Sequence, residues 1–217
     1  MATKNICLYI GSFDPPHIGH QTVVLYLLNQ HDIDKVMIIP TYNHCAKDNL
    51  SPFLDRYAML QKAFDNINCV TINPVEKKIA SIEGLVENRT YTTIQYVQKE
   101  CPDDKLILSM GSDLFNTFSK WYQLETYINI PIKVIMREGY PIDVENATHI
   151  AQLGISFQII NSEFPIRNTS SSLIKEKIIK KQPIDGIVHS EVIKYITESN
   201  ILLETFKKSY QNKKDNS

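Results

Sequence analysis

Six short apolar runs, rich in β-branched residues, recur along most of the chain and constrain its fold more than any other feature. They lie at residues 5–10, 35–40, 69–73, 105–110, 132–136 and 155–160. Their near-continuous hydrophobicity is typical of strands that are buried on both faces of a parallel sheet. Helix-like stretches lie between them. The alternation therefore predicts an α/β fold, a doubly wound Rossmann-like parallel sheet with helices on both faces.

The end of the chain differs in character from this sheet-forming part. After residue 161, the stretches "SSSLIKEKIIKK" and "SEVIKYITES" indicate two helices, which predict a C-terminal helical extension. We expect one domain over residues 1–205 and a polar tail over residues 206–217 that is frayed. A chain of 217 residues is long enough for one large domain with a buried core.

Charge and composition exclude several classes of protein. Lys and Arg total 23 against 24 Asp and Glu, so the chain lacks the net basic field expected of a nucleic-acid-binding protein. No apolar run approaches the ~18 residues of a membrane span, and the N-terminus lacks a secretion signal. The cysteines are widely spaced, without a C-x-x-C pair, which favours the reducing cytoplasm over a zinc site or disulfide framework. These observations leave a homo-oligomer open.

The segment "YIGSFDPPHIGH", residues 9–20, follows the first apolar run directly. Asp14 before Pro15 predicts a helix N-cap with proline at the first helical position. The N-terminus of that helix would face the crevice above the sheet, where its N–H groups and dipole attract anions. Gly11 would let the backbone approach a phosphate without a Cβ in the way.

Two histidines in this segment suit a phosphate site. His17 and His20 are three residues apart, so they share one face of the predicted helix. For either histidine alone, a role as a surface or core residue beside a shaped turn is the simpler interpretation. Gly19 lies between them, and a helical glycine costs ~1 kcal/mol, which suggests that something passes close to the backbone.

This segment resembles the signature of the HxGH nucleotidyltransferases, specifically the bacterial nicotinate-nucleotide adenylyltransferases, which usually open with G-G-[ST]-F-D-P-x-H-x-G-H. Further similar segments follow in the family's order: "IIP" with "HCAK", "DRYAML", "RTYTTIQYV", "MGSDLFNTFSKWYQLE" and "TSSSLIKEKI". The chain departs from the family pattern at Ile10, where glycine is usual, at Ser172 for threonine and at Lys175 for arginine. Lysine keeps the positive charge but loses the bidentate fork.

The resemblance implies adenylyl transfer from ATP to nicotinate mononucleotide, giving deamido-NAD and pyrophosphate, with Mg²⁺ accompanying ATP. Such a reaction needs no protein nucleophile, because positioning and charge stabilisation account for catalysis. The chain has neither G-x-G-x-x-G nor G-x-x-x-x-G-K-[ST], which argues against a hydride-transferring dehydrogenase and a P-loop kinase.

The resemblance also implies roles for individual residues. The implied ATP-binding residues are Gly11, Ser12, Phe13, His17, His20, Gly111, Asp113, Ser170, Ser171, Ser172 and Lys175. Among them His17, His20 and Lys175 are the catalytic set, with His20 on the α-phosphate in the transition state. The implied acceptor-binding residues are Lys47, Thr92, Trp121 and Tyr122, with Thr92 at the pyridine carboxylate and Trp121 stacked on the ring.

Structural roles compete with several of these assignments. Lys47 could equally be a solvated loop lysine, Trp121 a residue at the mouth of the core, and the three serines plain helix caps. Asp113 follows a strand, where its carboxylate suits ribose hydroxyls or a magnesium-bound water. Arg56 and Arg89 are expected in structural ion pairs.

Three alternative functions stay open at this point. The acceptor could be nicotinamide mononucleotide or phosphopantetheine, although phosphopantetheine enzymes typically lack the "TYTT" and "SKWYQLE" elements. The Thr92 hydroxyl can donate or accept, so chemistry alone leaves the acid and the amide unresolved, and only the resemblance favours the acid. A catalytically decayed nucleotide-binding regulator is the third alternative, suggested by Ile10 and Lys175.

Overall fold

A computed structural model describes residues 2–43, 50–84, 89–161 and 169–215. Its strands are Asn5–Gly11 (β1), Lys35–Pro40 (β2), Val70–Ile72 (β3), Lys105–Gly111 (β4), Ile132–Ile135 (β5) and Phe157–Ile160 (β6). They form one sheet of order β3-β2-β1-β4-β5-β6, in which each neighbouring pair is parallel. The predicted doubly wound Rossmann-like sheet is confirmed, with a strand lying in each apolar run.

Helices connect and extend these strands. They are Ile18–Leu28 (α1), Phe53–Phe64 (α2), Val75–Glu83 (α3), Thr90–Glu100 (α4), Ser112–Phe115 (α5), Val144–Gln152 (α6), Ser171–Ile179 (α7), Ser190–Thr197 (α8) and Asn200–Asp215 (α9). Two short 3₁₀ helices, Phe118–Lys120 and Leu124–Tyr127, follow α5. Among the described residues, no helix combines the length and apolar character that a membrane crossing requires.

The sheet separates two hydrophobic cores, because alternate strand residues point to opposite faces. On one face, Cys7 and Ile38 pack with buried residues of α1, α2, α7, α8 and α9. On the other face, Leu8 and Met37 pack with buried residues of α3, α4 and α6. Both faces of the parallel sheet are therefore covered by helices, as the near-continuous apolar runs predict.

The start of α1 differs from the prediction. The helix begins at Ile18 with His17 as its N-cap, whereas the sequence predicts an N-cap at Asp14. A residue that precedes proline is pushed out of the helical region, and both Asp14 and Pro15 precede a proline. Residues 14–16 therefore form a turn between β1 and α1, and the side chain of Asp14 makes other contacts.

The C-terminal segment also differs from the prediction. Helix α9 continues to Asp215 through most of the segment for which the sequence predicts a frayed tail. Leu202 and Phe206, four residues apart on this helix, are fully buried in the core that also contains α7 and α8. Two apolar anchors on one helical face stabilise a segment whose composition is otherwise polar.

Candidate active site

The candidate site lies where the order of the sheet strands reverses. Strand β1 lies between β2 and β4, and the chain leaves the carboxyl ends of β1 and β4 towards the same edge of the sheet. In doubly wound folds, this switch point is the position of the ligand crevice. A cavity of about 230 Å³ opens there, and it is lined by Ser12, Phe13, Asp14, His20, Leu50, Ser171, Ser172, Lys175 and Ser209.

The cavity brings together residues that are far apart in the sequence. Six residues predicted to bind ATP line it, namely Ser12, Phe13, His20, Ser171, Ser172 and Lys175. They come from the loop after β1, from α1 and from α7. The sequence therefore predicts most of the residues that line the cavity. It does not predict Leu50 and Ser209, and it assigns Asp14 to helix capping instead of to the site.

A reciprocal capping arrangement holds the two histidines at the start of α1. Nδ1 of His17 accepts a hydrogen bond from the Gly19 N–H (3.1 Å), and Nδ1 of His20 accepts one from the His17 N–H (3.2 Å). The two rings stack with their centroids 3.7 Å apart. The predicted pairing of the histidines on one face is confirmed, with imidazoles in place of the usual capping side chains.

These hydrogen bonds determine where each imidazole carries its proton. A backbone N–H can only donate, so both Nδ1 atoms are acceptors and the ring proton lies on Nε2. Burial, assisted by the positive charge of Arg137, lowers the pKa of His17 to about 4, so this ring is neutral near neutral pH. Each histidine is thus set up as an N–H donor from Nε2, the polarity that phosphate oxygens require.

Phe13 fixes the position of His20 and explains Gly11. The Phe13 ring is buried and packs edge-on against His20, with the ring centroids 4.9 Å apart. A Cβ on Gly11 would lie 3.1 Å from this ring. The described contacts of Gly11 therefore indicate that its missing side chain makes room for Phe13, whereas the sequence suggests room for a phosphate.

Asp14 and Lys175 form an ion pair beside the cavity. Lys175 Nζ lies 2.5 Å from Asp14 Oδ2, and the two side chains are only 9% and 3% exposed. Asp14 Oδ2 also accepts a hydrogen bond from the Ser51 N–H, while its Oδ1 is buried without a hydrogen-bond partner. The predicted phosphate-binding lysine thus lines the cavity but is paired with a carboxylate, because Asp14 is freed from helix capping.

The serines at the start of α7 have separate roles. Ser170 is the N-cap, and its hydroxyl accepts a hydrogen bond from the Leu173 N–H (3.2 Å), which confirms a capping role. Ser171 donates to the carbonyl of Pro15 (2.9 Å) and so joins α7 to the turn before α1. Ser172 is exposed and lines the cavity. The N-termini of α1 and α7 therefore lie at one site.

Asp113 belongs to a second charged pair at the end of β4. Arg137 Nη1 donates to Asp113 Oδ2 (2.8 Å), and Asp113 Oδ1 is buried without a hydrogen-bond partner. A Cβ on Gly111 would lie 2.4 Å from Oδ1 and 2.8 Å from Arg137 Cδ, so this pair requires glycine there. Arg137 was not among the residues predicted from the sequence, although its position just after β5 places it at the same sheet edge.

The predicted acceptor residues lie on the start of α4 and on the segment after α5. Thr92 is half-buried on α4, and the ring of its neighbour Tyr91 lies 5.7 Å from that of Tyr122. Trp121 packs edge-on against Phe118 (5.0 Å), which favours its interpretation as a residue at the edge of the core. These two segments therefore meet, whereas Lys47 lies outside the described residues.

The prediction that Arg56 and Arg89 form ion pairs is wrong, because the contacts described for them are with backbone carbonyls and with an aromatic ring. Arg56 is buried and donates to three backbone carbonyls, those of Ser51 (2.9 Å), Ser12 (3.0 Å) and Tyr42 (3.0 Å). The guanidinium of Arg89 lies over the Tyr122 ring, 4.7 Å from its centroid. Arg56 thus joins the loop after β1 to the loop after β2. The sequence could not predict these partners, because backbone carbonyls in irregular loops leave no pattern of residue types.

Glu76 is a further buried titratable group, and it was not among the residues predicted from the sequence. Its carboxylate accepts hydrogen bonds from the Tyr42 N–H (2.8 Å) and the Thr93 hydroxyl (3.0 Å). Burial raises the pKa of Glu76 to about 7, although these hydrogen bonds and the charge of Arg56 act in the opposite direction. The residue connects the loop after β2 with α4, which carries Thr92.

Known proteins are similar to this chain in sequence and in fold. The nicotinate-nucleotide adenylyltransferase of Bacillus subtilis is 25% identical over 202 residues, which cover 91% of this chain and 98% of that protein. A probable nicotinate-nucleotide adenylyltransferase of Thermotoga maritima is 28% identical, covering 89% and 91%. The solved Plasmodium falciparum nicotinic acid mononucleotide adenylyltransferase, complexed with NaAD, matches with a TM-score of 0.75 at 23% identity, covering 92% and 97%.

The sheet order and the paired helix N-termini at the switch point define a nucleotide-binding α/β protein of Rossmann-like topology. The cytidylyltransferase-like family matches residues 8–177, most of the chain. The protein belongs to that family. The matched range includes the site from β1 to α7 and ends before α8 and α9.

Proposed function

We propose that the protein transfers the adenylyl group of ATP to nicotinate mononucleotide. In this reaction, a phosphate oxygen of the mononucleotide forms a bond to the α-phosphorus of ATP. The bond from that phosphorus to the β-phosphate bridging oxygen breaks, and pyrophosphate leaves with the electron pair. The products are deamido-NAD and pyrophosphate. The names of the Bacillus subtilis and Thermotoga maritima relatives support this activity.

One observation carries the proposal. His20, the start of α7 and the Lys175 ammonium surround one cavity at the carboxyl end of β1. All three are sources of N–H donors or positive charge, and two helix N-termini add their dipoles. Such a wall suits a polyphosphate, and a direct transfer between two phosphates needs no protein nucleophile.

The residues of this chain would act by position and by hydrogen bonding. His17 and His20 would donate from Nε2 to phosphate oxygens, with His20 on the oxygens of the α-phosphate as negative charge develops. The hydroxyl of Ser172 and the Lys175 ammonium would contact the departing β- and γ-phosphates. Because these donors are fixed before the substrate arrives, little reorganisation is needed in the transition state.

Mg²⁺ is proposed to enter with ATP. Among the described residues, no group of three His, Cys, Asp or Glu side chains could hold a metal ion. The site nevertheless fits Mg²⁺, which keeps waters and substrate phosphates as most of its ligands and needs only one or two carboxylates. The buried, unpartnered Oδ1 of Asp14 is the protein oxygen at the cavity that would hold it. When bound, the ion neutralises charge on the phosphates.

A nearby cation supports nicotinate as the acceptor. The Arg89 guanidinium lies over Tyr122, which contacts Tyr91 next to Thr92. A positive charge beside the predicted acceptor residues favours a carboxylate over a neutral amide. The Thr92 hydroxyl adds a donor that could contact the same carboxylate.

Pyrophosphate release with ATP and each acceptor tests the proposal. We expect kcat/KM for nicotinate mononucleotide to exceed that for nicotinamide mononucleotide by about tenfold or more, roughly the discrimination of one charged hydrogen bond. Equal values, or higher values for the amide, would reverse the acceptor assignment and leave adenylyl transfer standing. Absence of release with both acceptors would favour the nucleotide-binding regulator.

Thr92→Val tests the acceptor site directly. The substitution removes the hydroxyl at nearly constant shape, so we expect the preference for the acid to decrease with little change in the KM for ATP. Thr148→Val, at an exposed position on α6, is a matched control for the loss of a hydroxyl. An unchanged ratio of the two kcat/KM values in Thr92→Val would remove Thr92 from acceptor recognition.

Two of the three departures from the family pattern, Ile10 and Lys175, are compatible with activity. Ile10 continues β1 and is paired in register with Ile39, so its side chain has a place in the sheet. Lys175 keeps a positive charge at the cavity wall. The strand and the positive charge of the site are therefore both kept, which supports an enzyme over a decayed regulator.

We propose the cytoplasm as the place of this reaction. Cys7, Cys69 and Cys101, the cysteines within the described residues, are free thiols. Free thiols are typical of proteins in a reducing compartment.

A further inference from the structure

Helix α9 forms part of the wall of the cavity that the proposed function assigns to the ATP phosphates. Ser209 lines this cavity together with Ser12, His20 and Lys175. The helix lies outside residues 8–177, the range that matches the cytidylyltransferase-like family. We propose that α9 contributes to ATP binding. In this role Phe206 positions Lys175, and Ser209 faces the ATP phosphates. This inference rests on the proposed function.

The Lys175 ammonium contacts the Phe206 ring as well as Asp14. Lys175 Nζ lies 5.0 Å from the centroid of the Phe206 ring and 2.5 Å from Asp14 Oδ2. An ammonium attracted to an aromatic face in a desolvated position is held more firmly than by an ion pair alone. The Phe206 side chain is fully buried, so the surrounding core restricts its ring. The aromatic face and the Asp14 carboxylate therefore both contact an ammonium whose side chain lines the cavity.

Other contacts keep α9 on α7 along its length. Tyr210 of α9 interacts electrostatically with Lys180, the C-cap of α7, and Leu202 is fully buried. Between these contacts, Ser209 is half-buried and turned to the cavity, whereas its neighbours Lys208 and Gln211 are exposed. The face of α9 that touches α7 is thus also the face that closes the phosphate cavity.

A double-mutant cycle tests the positioning role of Phe206. Phe206→Leu keeps an apolar side chain in the core but removes the aromatic face, and Lys175→Gln removes the charge while keeping a donor for Asp14. We expect Phe206→Leu to raise the KM for ATP about fivefold in the wild type and less than about twofold in the Lys175→Gln background. The KM for nicotinate mononucleotide should change in neither background.

Two outcomes would overturn this role. An equal rise in the KM for ATP in both backgrounds would show that Phe206 does not act through Lys175. A parallel rise in the KM of both substrates would indicate a general loss of structure. Thermal melting checks the fold of each variant, and Phe206→Met replaces Phe206→Leu in the cycle if the leucine variant does not fold.

A pair of bulky substitutions tests whether Ser209 faces the ATP phosphates. We expect Ser209→Phe to fill part of the cavity and raise the KM for ATP about tenfold or more, and Gln211→Phe to leave it unchanged. Unchanged KM for ATP in a folded Ser209→Phe variant would overturn the assignment. A wild-type protein that releases no pyrophosphate would contradict the proposed function instead, so the two failures are distinguishable.

Discussion

At the scale of single residues, His20 shows how the site is built before any substrate binds. Its Nδ1 accepts from the His17 N–H, its ring stacks on His17, and Phe13 packs on its edge. Together these contacts restrict the rotation of the ring. The remaining nitrogen, Nε2, is thus directed by the backbone of α1 and carries the proton.

His20→Ala should lower kcat far more than it weakens acceptor binding. Loss of one donor that acts on the transition state typically costs about 10²–10³ in kcat, and the KM for nicotinate mononucleotide should stay within about threefold. Steady-state pyrophosphate release measures both constants. His31→Ala, in the loop after α1, is the matched control, and near-normal turnover of His20→Ala would remove His20 from the mechanism.

Glu76 predicts a pH dependence of stability. Because its pKa rises from 4.5 to about 7 on folding, the folded protein holds a proton that the unfolded chain releases between these values. This contribution is complete below the unfolded pKa and is lost as the pH rises through the folded pKa. Glu76→Gln does not titrate, so its free energy of unfolding relative to the wild type should increase by about 2–3 kcal/mol between about pH 5 and about pH 8.

Denaturant unfolding of both proteins at several pH values measures this difference. A glutamine can still accept from the Tyr42 N–H and donate to the Thr93 hydroxyl, so the variant should fold. Glu125→Gln on the exposed segment after α5 is the control. A constant difference between Glu76→Gln and the wild type across this pH range would mean that Glu76 does not titrate there.

At the scale of elements, α2 connects the loops that surround the site. Arg56 on this helix binds carbonyls in three separate segments, after β1, after β2 and before α2 itself. The hydroxyl of Tyr195 on α8 donates to Asp55 (2.8 Å), the residue beside Arg56. Helix α2 therefore connects the loops at the sheet edge to the C-terminal helices.

Arg56→Lys should destabilise the protein although it keeps the charge. A single ammonium cannot reach carbonyls that a planar guanidinium contacts with three separate nitrogens, so buried carbonyls lose their partners. We expect a loss of about 2–4 kcal/mol in the free energy of unfolding and a higher KM for both substrates. Gln61→Lys, an exposed lysine on the same helix, should be neutral. Equal free energies of unfolding for Arg56→Lys and the wild type would contradict a stabilising role of these hydrogen bonds.

At the scale of the whole molecule, the C-terminal helices complete the core on one face of the sheet. Leu202 and Phe206 of α9 pack in the same core as Ile174 of α7 and Val192 of α8. The segments that contact the site formed by the first twenty residues, α7 and α9, thus follow the last strand of the sheet in the sequence. Stability and the shape of the cavity depend on the same helix.

Truncation after Thr205 should therefore destabilise the protein. It removes Phe206, and the loss of a buried phenylalanine side chain costs about 3–5 kcal/mol. For a chain of this size, that corresponds to a decrease in Tm of about 10 °C. Truncation after Asn212 keeps Phe206 and Tyr210 and should leave Tm nearly unchanged. Equal melting temperatures of the two truncated proteins would show that the segment after Thr205 is dispensable for the fold.

The sequence by itself determined the sheet, the family resemblance and most of the cavity wall. Strands buried on both faces need continuous apolar runs, and six such runs are visible without a structure. The spacing of His17 and His20 likewise predicts that they share one face, and the capping arrangement at the start of α1 places them there. These features are local, so each is contained in a short window of residues.

Only the tertiary structure decided the contacts between distant segments. Lys175 and Asp14 are 161 residues apart, and the pairing depends on where α7 lies against the turn before α1. The order of α9 depends on Phe206 meeting a core built by other helices, although its own composition favours a frayed tail. No short window contains such information, since the energy of a buried charge or ring is set by the groups that surround it in space.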